Sequence, residues 1–283
     1  MGARTSATAR QKRLGVEVRR MRTSAGMSAE FAAGLLGVDR GKISHIESGV
    51  RAISPERVRT LACNCDCQDE RYVEALVDMA AAGRRGWWER YRGSLPQGML
   101  DIAELEAHAV RMRAAYSMHI PGLLQTSDHA LAVFRVVIPQ LPEHEVALRM
   151  AHRVERQQVL DGPDGTRFVA IVHEAALRMQ FGGREVARAQ LEHMLKRSEQ
   201  DNVTVVVIPF AAGAFPGAGQ TVLYAEGAVP QLDTVQIDSS HGPDFLHAEA
   251  QLAKYRAHLD WMERIALSAS ASRDFIRDIA NDL

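Results

Sequence analysis

Apolar residues recur at every third or fourth position through the first eighty residues, which is the spacing of one face of an α-helix. The first predicted helix starts near Arg10 and ends at Gly26. We expect its inner face to carry three apolar side chains: Leu14, Val18 and Met21. We expect its outer face to carry three arginines: Arg19, Arg20 and Arg22.

The next stretch predicts two short helices joined by a sharp turn. Ser28 is a good N-cap for the second helix, and Asp39 is a good N-cap for the third. Gly37 can take the left-handed conformation that ends one helix and turns into the next, and Gly49 ends the third helix. Three apolar positions are expected to close the third helix onto the second: Val38, Ile43 and Ile46.

Two further helices complete this region. Pro55 after Ser54 opens a fourth helix, and a fifth amphipathic helix is predicted from Asp69 to Ala82. The fourth helix is expected to bury Val58, Leu61 and Ala62, and the fifth to place Tyr72, Leu76 and Met79 on one face.

A segment rich in glycine, arginine and aromatic residues, GRRGWWERYRGSLPQG at 83–98, indicates a domain boundary near residue 83. Residues 1–9 are small and polar, which is typical of a disordered arm. We therefore predict a disordered arm over 1–9, a helical domain over 10–83 and a larger domain over 84–283.

The larger domain mixes helical and strand patterns. Val/Ile/Thr-rich runs predict strands at 167–173, 203–208, 220–225 and 233–238. Helical periodicity predicts helices at 101–116, 126–138, 142–160, 184–199, 246–267 and 271–281. The short connections between the last strands favour a small, mostly antiparallel sheet flanked by helices. The predicted fold class is mainly α, with an α+β larger domain.

Charge is distributed unevenly along the chain, although the formal net charge is only -1. Residues 1–62 carry 12 basic and 5 acidic side chains, a balance of +7, and the remainder carries 22 basic and 30 acidic, a balance of -8. A basic small domain suggests a polyanionic partner, and a solvated basic surface is the alternative. No apolar run is long enough for a membrane span, and the N-terminus lacks the apolar segment of a secretory signal.

All three cysteines lie in the stretch CNCDC, at 63, 65 and 67. They are not a disulfide framework, which favours a cytoplasmic location. Cys65 and Cys67 are expected to be buried apolar fillers after the fourth helix, and Cys63 to be more exposed. No nearby cysteine or histidine completes a tetrahedral zinc set, so no metal is expected, and a metal or redox switch is the alternative. No other cofactor is expected.

The segment SAEFAAGLLGVDRGKISHIESG at 28–49 resembles the XRE, or lambda-repressor-like, helix-turn-helix family. The residues that carry this resemblance are Ala33, Gly37, Val38, Ile43, Ser44, Ile46, Glu47 and Gly49. The resemblance covers about residues 10–80. It implies a five-helix DNA-binding domain whose helix from Arg40 to Ser48 enters the major groove. A helix-turn-helix used only for protein contacts is the alternative.

The family geometry indicates which side chains would reach DNA. Side chains at the start of the recognition helix and one turn later face the bases: Arg40, Gly41, Ser44 and His45. Lys42 lies nearer the phosphates. Relatives often have glutamine where this chain has Ala29, so phosphate binding there is expected from the helix amides behind Ser28. Solvated surface positions are the alternative for Lys42 and His45.

The larger domain also resembles a known domain, the C-terminal domain of many actinobacterial XRE regulators. The matching segments are GWWERYRGSLP at 86–96, HIPGLLQTSDHA at 119–130, RVERQQ at 153–158 and VHEAALRMQFGG at 172–183. The resemblance implies a transcription regulator, often paired with a small acidic protein encoded nearby, and implies no chemistry for the domain.

Catalytic motifs are incomplete, so we expect that the chain is not an enzyme. His173-Glu174 would need a histidine at 177, where the chain has Leu177. Candidate residues for an effector or partner site are Trp87, Trp88, Tyr91, Gln125, Arg153, Arg156, Gln157 and Glu174. Structural roles are the alternatives: the aromatic residues packing the boundary, Thr126 capping a helix, and Glu174 pairing with one of the arginines.

These observations favour a sequence-specific DNA-binding transcriptional regulator whose C-terminal domain dimerises it and receives a partner or an effector. The expected partners are a double-stranded DNA operator, a second copy of the chain and a small acidic protein, with no membrane. The alternative is an antitoxin-like partner of a neighbouring protein, with autoregulatory DNA binding.

Overall fold

The computed structural model describes residues 7–82, 86–239 and 241–283. The chain divides into two compact units, Met1–Arg90 and Tyr91–Leu283. The predicted boundary near residue 83 lies outside the described residues. Among the described helices, none combines the length and the apolar character that spanning a bilayer requires.

The first unit contains five α-helices within its described residues. They are α1 (Ala9–Ser24), α2 (Ala29–Leu35), α3 (Arg40–Glu47), α4 (Pro55–Asn64) and α5 (Glu70–Ala82). Ser28 and Asp39 each accept a hydrogen bond from the backbone N–H three residues later, as their predicted role as N-caps requires, and Ser54 does the same at the start of α4. Gly37 adopts a φ of 61°, the left-handed conformation expected between α2 and α3.

The start of α1 corrects the predicted disordered arm. Thr8 is buried, its hydroxyl accepts a hydrogen bond from the Gln11 backbone N–H, and the Gln11 side chain accepts one from the Thr8 N–H. This capping box orders residues 7–9, so the prediction is wrong for them. Residues 1–6 lie outside the described part of the chain.

The apolar faces predicted for the first unit form its core. Leu14, Val18 and Met21 of α1 are buried, and so are the inward residues of the other helices: Ile43, Ile46, Val58, Leu61, Ala62, Tyr72 and Leu76. Val38 and Met79 are half-buried. Helix α1 packs against α3, α4 and α5, and α4 packs against α1, α2 and α5.

The second unit contains seven α-helices and six strands within its described residues. The helices are α6 (Gln97–Ala107), α7 (Ser127–Arg135), α8 (Glu143–Arg156), α9 (Glu174–Arg178), α10 (Arg184–Arg197), α11 (Glu249–Ile265) and α12 (Ala269–Asp282). The strands are β1 (Arg111–Tyr116), β2 (Arg167–His173), β3 (Val203–Ile208), β4 (Val222–Glu226), β5 (Thr234–Ser239) and β6 (Gly242–Leu246).

The described strands form one mixed sheet in the order β3-β2-β1-β4-β5-β6. The β1/β2 and β2/β3 pairs are parallel, and the β1/β4, β4/β5 and β5/β6 pairs are antiparallel. The sheet is therefore larger than predicted and only partly antiparallel. The two parallel pairs arise because α7 and α8 connect β1 to β2, and α9 and α10 connect β2 to β3.

One predicted helix is wrong over half its length. Residues 101–116 were expected to be helical, but α6 ends at Ala107 and Arg111–Tyr116 forms the central strand β1. The alanine-containing run RMRAAY has little strand character of its own. It is extended because β2 and β4 pair with it on either side, which is a tertiary effect. The edge strand β6, which contains Pro243, was not predicted.

Helices cover both faces of the sheet. One core cluster joins the strands to α10, α12 and the loop after β1 through residues such as Leu124, Leu191 and Ile276. The other joins the strands to α11 through Leu252, Leu259 and Met262. This three-layer arrangement buries the central strands on both faces, which explains their nearly continuous apolar sequences.

The close approach of α1 to α3 generates a test of the first unit. A Cβ atom on Gly15 would lie 2.6 Å from the backbone oxygens of both Ile46 and Glu47. We expect Gly15→Ala to destabilise this unit by about 1–3 kcal/mol, because backbone atoms on both sides cannot easily give way. Hydrogen exchange of the α1 and α3 amides, resolved by peptide, measures the change.

The control for this prediction is Gly34→Ala in α2. No atom lies within 4 Å of the Cβ that this substitution adds. We expect it to leave the stability unchanged or to raise it by up to about 1 kcal/mol, because alanine favours helix more than glycine does. Equal protection in the two variants would refute the close α1–α3 packing.

Candidate functional site

Helix α3 has a buried face and an exposed face. Ile43 and Ile46 are each 2% exposed and attach α3 to the rest of the first unit. The opposite face presents four exposed residues, which are those predicted to face the bases: Arg40, Gly41, Ser44 and His45. Their spacing places them on adjacent turns of one side of the helix.

Lys42 lies in the first turn of α3 and forms an ion pair with the capping residue, Asp39. Its Nζ lies 2.7 Å from Asp39 Oδ2, and its backbone N–H donates to Asp39 Oδ1 at 2.9 Å. Hydrogen bonds from Lys42 hold the pKa of the Asp39 carboxyl below its usual range. Both side chains are substantially exposed, so this ion pair is weak and a phosphate could replace the carboxylate.

The N-terminus of α2 is also accessible. Ser28 is exposed, and its hydroxyl accepts the backbone N–H of Phe31 at 3.1 Å. Ala29 is half-buried. Phe31, in the first turn of α2, is 62% exposed. The sequence did not indicate that this aromatic residue is exposed while the next two residues, Ala32 and Ala33, are buried.

Arg22 does not lie on the outer face of α1, so that prediction is wrong. Its side chain is buried, its Nε donates to Glu47 Oε1 at 2.5 Å, and its Nη1 donates to the Met27 carbonyl at 2.6 Å. The hydrogen bond with Glu47 raises the pKa of Arg22. The last turn of α1 comes close to the end of α3, which places this arginine between them.

A second buried carboxylate ties α1 to α5. Glu17 is 1% exposed, and Arg13 Nη1 lies 3.0 Å from its Oε1. The Tyr72 hydroxyl donates to Glu17 Oε2 at 2.6 Å, and burial together with this bond raises the pKa of Tyr72. Because Glu17 and Glu47 each neutralise one buried arginine, the basic excess of the first unit remains on its surface.

In the second unit, three of the predicted residues meet around the loop after β1. Gln157 Nε2 donates to the backbone oxygens of Gly122 and Gln125, at 3.1 and 2.7 Å. Arg153 Nη1 donates to the Gln125 side-chain oxygen at 2.5 Å. Thr126 caps α7, as its alternative role predicts, by accepting the His129 N–H. The segments HIPGLLQT and RVERQQ thus form one network.

Arg156 joins this network from the end of α8, but its ionic partner was not predicted. Its Nε lies 2.8 Å from Oε2 of Glu106, at the end of α6, and both side chains are buried. A Cβ on Gly122 would lie 2.8 Å from Arg153 Nη1 and 2.8 Å from Arg156 Nη2. A side chain at this position would therefore displace both guanidinium groups from the loop.

Glu174 pairs elsewhere, so its expected pairing with Arg153 or Arg156 is wrong. It lies in the first turn of α9, where Arg178 Nε donates to its Oε1 at 2.7 Å and the Phe210 N–H donates to its Oε2 at 2.8 Å. Burial opposes ionisation, but these hydrogen bonds prevail and lower the pKa of Glu174. His173 Nδ1 accepts the Ala175 N–H and caps α9. The His-Glu fragment is a helix start.

The three aromatic candidates lie in one 3-10 helix, Trp87–Tyr91. The rings of Trp87 and Trp88 are 5.8 Å apart, edge to face, and Trp88 is buried. Tyr91 stacks edge to face on His152 of α8 at 5.2 Å, and its hydroxyl donates to Glu155 at 3.1 Å. Tyr91 thus reaches α8 close to Arg153, and the role of the tryptophans stays a prediction.

The cysteines lie nearer the surface than predicted. Cys63 is exposed as expected, but Cys65 and Cys67 are half-buried. Helix α4 ends at Asn64 and Asp66 takes a φ of 50°, so the chain turns before these side chains can follow the apolar face. Partial burial raises the pKa of the Cys65 thiol.

Residues 99–278, from α6 into α12, match the family described as Domain of unknown function (DUF5753). The chain belongs to the DUF5753 family. Residues 13–83, which contain α2 to α5 and most of α1, match the family described as Helix-turn-helix domain. A search of curated proteins and a search of solved structures each found no match.

The two matches confirm the predicted resemblance: an XRE-like helix-turn-helix at the N-terminus, followed by a C-terminal domain of unknown function. The helix-turn-helix match suggests a DNA-binding regulator. The DUF5753 match contains the whole network formed by Glu106, Gln125, Arg153, Arg156 and Gln157.

The Arg22–Glu47 pair generates a test of what holds α3 in place. We expect Arg22→Met to destabilise the first unit by about 3 kcal/mol or more, because Glu47 would remain buried without its counter-charge. Hydrogen exchange of the α3 amides measures the loss. Arg19→Met, on the exposed face of α1, is the matched control and should change stability by less than about 0.5 kcal/mol.

A double variant separates charge from packing at this site. Arg22→Met combined with Glu47→Leu removes both charges, and we expect it to recover much of the lost protection. If the single and double variants were equally unprotected, the loss would come from packing and not from an uncompensated carboxylate.

Proposed function

We propose that this protein is a sequence-specific DNA-binding transcriptional regulator whose recognition helix is α3. The observation that carries the proposal is the exposed face of α3, which presents Arg40, Gly41, Ser44 and His45 on a unit with a basic excess. A helix that is anchored by one apolar face and exposed on the other can enter the major groove. The helix-turn-helix match supports the same conclusion.

Arg40 is the principal base-reading residue in this proposal. It is the first residue of α3, it is exposed, and its guanidinium has the geometry for a bidentate contact to guanine. Gly41 supports it by leaving room. A Cβ there would meet only Asp39 Oδ1, at 3.3 Å, so the exposed backbone of α3 can approach the edges of the bases.

Two elements supply the phosphate contacts. The amides of the first turn of α2, behind the Ser28 cap, carry the positive end of the helix dipole. Ala29 adds no polar side chain there. Lys42 supplies a cation whose present partner, Asp39, is exposed and readily exchanged for a phosphate.

We assign regulation to the second unit: it forms a homodimer and receives a small effector or a small acidic partner protein. The proposal gives it no catalytic role, and the capping function of His173 with the ion pair of Glu174 supports this assignment. Dimerisation would place two recognition helices about 34 Å apart, one helical turn of DNA, on a roughly palindromic operator.

The proposal predicts that two substitutions in α3 act differently on DNA binding. Arg40→Ala should reduce discrimination between operator and random DNA by about 1–3 kcal/mol while leaving salt-dependent binding largely intact. Lys42→Ala should weaken binding to all sequences and reduce the slope of log affinity against log salt by about one. Fluorescence anisotropy titrations on both DNAs at several salt concentrations measure these effects. An Arg40→Ala protein with the wild-type specificity ratio would disprove the assignment of Arg40.

The proposal also predicts the pattern of bound sites in the genome. Mapping of bound DNA should return one shared motif with two half-sites about 34 Å apart. A scatter of weak sites without a motif would contradict a regulatory role. Binding confined to the protein's own promoter, beside a toxic gene that this protein silences, would favour the antitoxin-like alternative.

A further inference from the structure

Five ionisable side chains from four elements of the second unit converge in one place. They are Glu106 of α6, Tyr116 of β1, Arg153 and Arg156 of α8, and Asp238 of β5. The other four members influence the pKa of Tyr116 and that of Arg153, and the two arginines and Asp238 influence that of Glu106, so the five lie within electrostatic reach. The DUF5753 match covers all five.

The two arginines differ in how their charges are balanced. Arg156 has Glu106 as its partner at 2.8 Å. Arg153 forms no ion pair with any residue that the structure describes. Its Nη1 donates to the neutral oxygen of Gln125, its Nε is buried without an acceptor, and its guanidinium lies 5.1 Å from the Phe134 ring centroid. Among the described residues Arg153 therefore has no carboxylate at ion-pair distance, although Glu106 and Asp238 lie within electrostatic reach.

The polar ends of this cluster are still open to solvent. Tyr116 and Arg153 are half-buried, and within the described chain the Tyr116 hydroxyl and Arg153 Nη2 have no hydrogen-bond partner, yet neither atom is sealed from solvent. Burial nevertheless lowers the pKa of Arg153 to about 10 and raises that of Tyr116. Groups that are crowded by protein but still accessible can contact a small ligand that enters from solvent.

We propose that this cluster is an effector site in which Arg153, Arg156 and Tyr116 bind the carboxylate of a small molecule. Arg153 supplies a guanidinium that has no ion-pair partner among the described residues, Arg156 lies beside it at Gly122, and the Tyr116 hydroxyl donates a hydrogen bond. A guanidinium and a carboxylate form strong, charge-assisted hydrogen bonds. The inference rests on the regulatory role proposed for the second unit and names the ligand class of that role.

The negative groups of the cluster favour a carboxylate over a phosphate. Glu106 is buried beside Arg156, and Asp238 is exposed, held at its Oδ1 by Gln236 Nε2 at 2.7 Å. The exposed carboxylate of Asp238 would repel a doubly charged phosphate more strongly than a singly charged carboxylate. A ligand with a positive or neutral polar group at its other end fits the exposed Asp238.

Proton uptake at Glu106 should accompany binding. Burial raises the pKa of Glu106 to about 7, opposed by Arg156 and Arg153 and assisted by Asp238. Tyr116, the remaining ionisable member of the cluster, stays protonated because burial raises its pKa. A bound anion raises the pKa of Glu106 further, so the complex holds more protons than the free protein. Affinity should therefore rise as the pH falls from about 8 to about 6.

The direct test uses the full-length protein with 15N-labelled arginine side chains and sodium acetate as the probe. We expect the Nε–Hε signals of Arg153 and Arg156 to shift and saturate with acetate, and not with sodium chloride at the same ionic strength. Tyr116→Phe should weaken acetate binding about tenfold while keeping the ring in place. Arg153→Gln should weaken it more than tenfold. Arg149→Gln, one turn earlier on α8 and paired with Glu145, is the matched control and should bind as the wild type does.

Three results would overturn the proposal. Equal or non-saturating shifts with acetate and chloride would show that no site exists, and wild-type affinity of Tyr116→Phe would remove the proposed geometry. Saturable binding of sodium phosphate that exceeds acetate binding would refute the assignment to a carboxylate. The pH series adds a further condition: Glu106→Gln should abolish the dependence of acetate affinity on pH between about 6 and about 8.

Operator binding, measured on the same variants, keeps this proposal distinct from the proposed function. Without ligand, Tyr116→Phe should bind operator DNA with wild-type affinity, since the first unit is unchanged. Loss of operator binding in the wild type would refute the regulator proposal, while acetate binding at Arg153 would still stand.

Discussion

Residues 120–125 of the loop that follows β1 are buried, and their backbone oxygens must find hydrogen bonds inside the protein. Three glutamine side chains provide them: Gln125 donates to Ile120, Gln157 to Gly122 and Gln125, and Gln190 to Leu124. The last two glutamines come from the segment after α8 and from α10, so one buried loop fixes the positions of both helices relative to the central strand. The orientation of Arg153 and Arg156 follows from this arrangement.

The first unit uses buried carboxylates for a comparable purpose. Glu47 accepts Arg22 at the ends of α3 and α1, and Glu17 accepts the Tyr72 hydroxyl beside Arg13, which joins α5 to α1. Such pairs add little net stability, because desolvating the charges offsets their attraction. Their geometry is nonetheless specific, and we infer that they set the direction in which α3 presents its exposed face.

The first unit could be predicted from sequence because its signals are local. Caps such as Asp39, and a glycine such as Gly37 that takes a positive φ, determine helix ends within a few residues. Strand β1 could not be predicted, because its extended form depends on β2 and β4. Because β1 was not predicted, Tyr116 was not identified as a candidate site residue. Glu106 had no feature that distinguished it from other helical carboxylates. Arg19 and Arg22 of α1 could not be distinguished in the sequence. Arg19 is exposed, whereas Arg22 is buried because α3 packs beside it.

The chemistry of Arg153 distinguishes two possible roles of this residue: hydrogen bonding to the loop after β1 and binding a ligand. Its contact with Gln125 requires only an N–H donor. Neutral side-chain amides, those of Gln157 and Gln190, donate to the same loop. A guanidinium at that position adds a charge among crowded side chains, and partial burial of a charge that has no ion-pair partner is unfavourable. Holding the loop explains the hydrogen bond but not the charge. A negatively charged ligand would account for both. Glu106 forms an ion pair with Arg156, and no carboxylate of the described chain does so with Arg153, so the ligand would supply that partner.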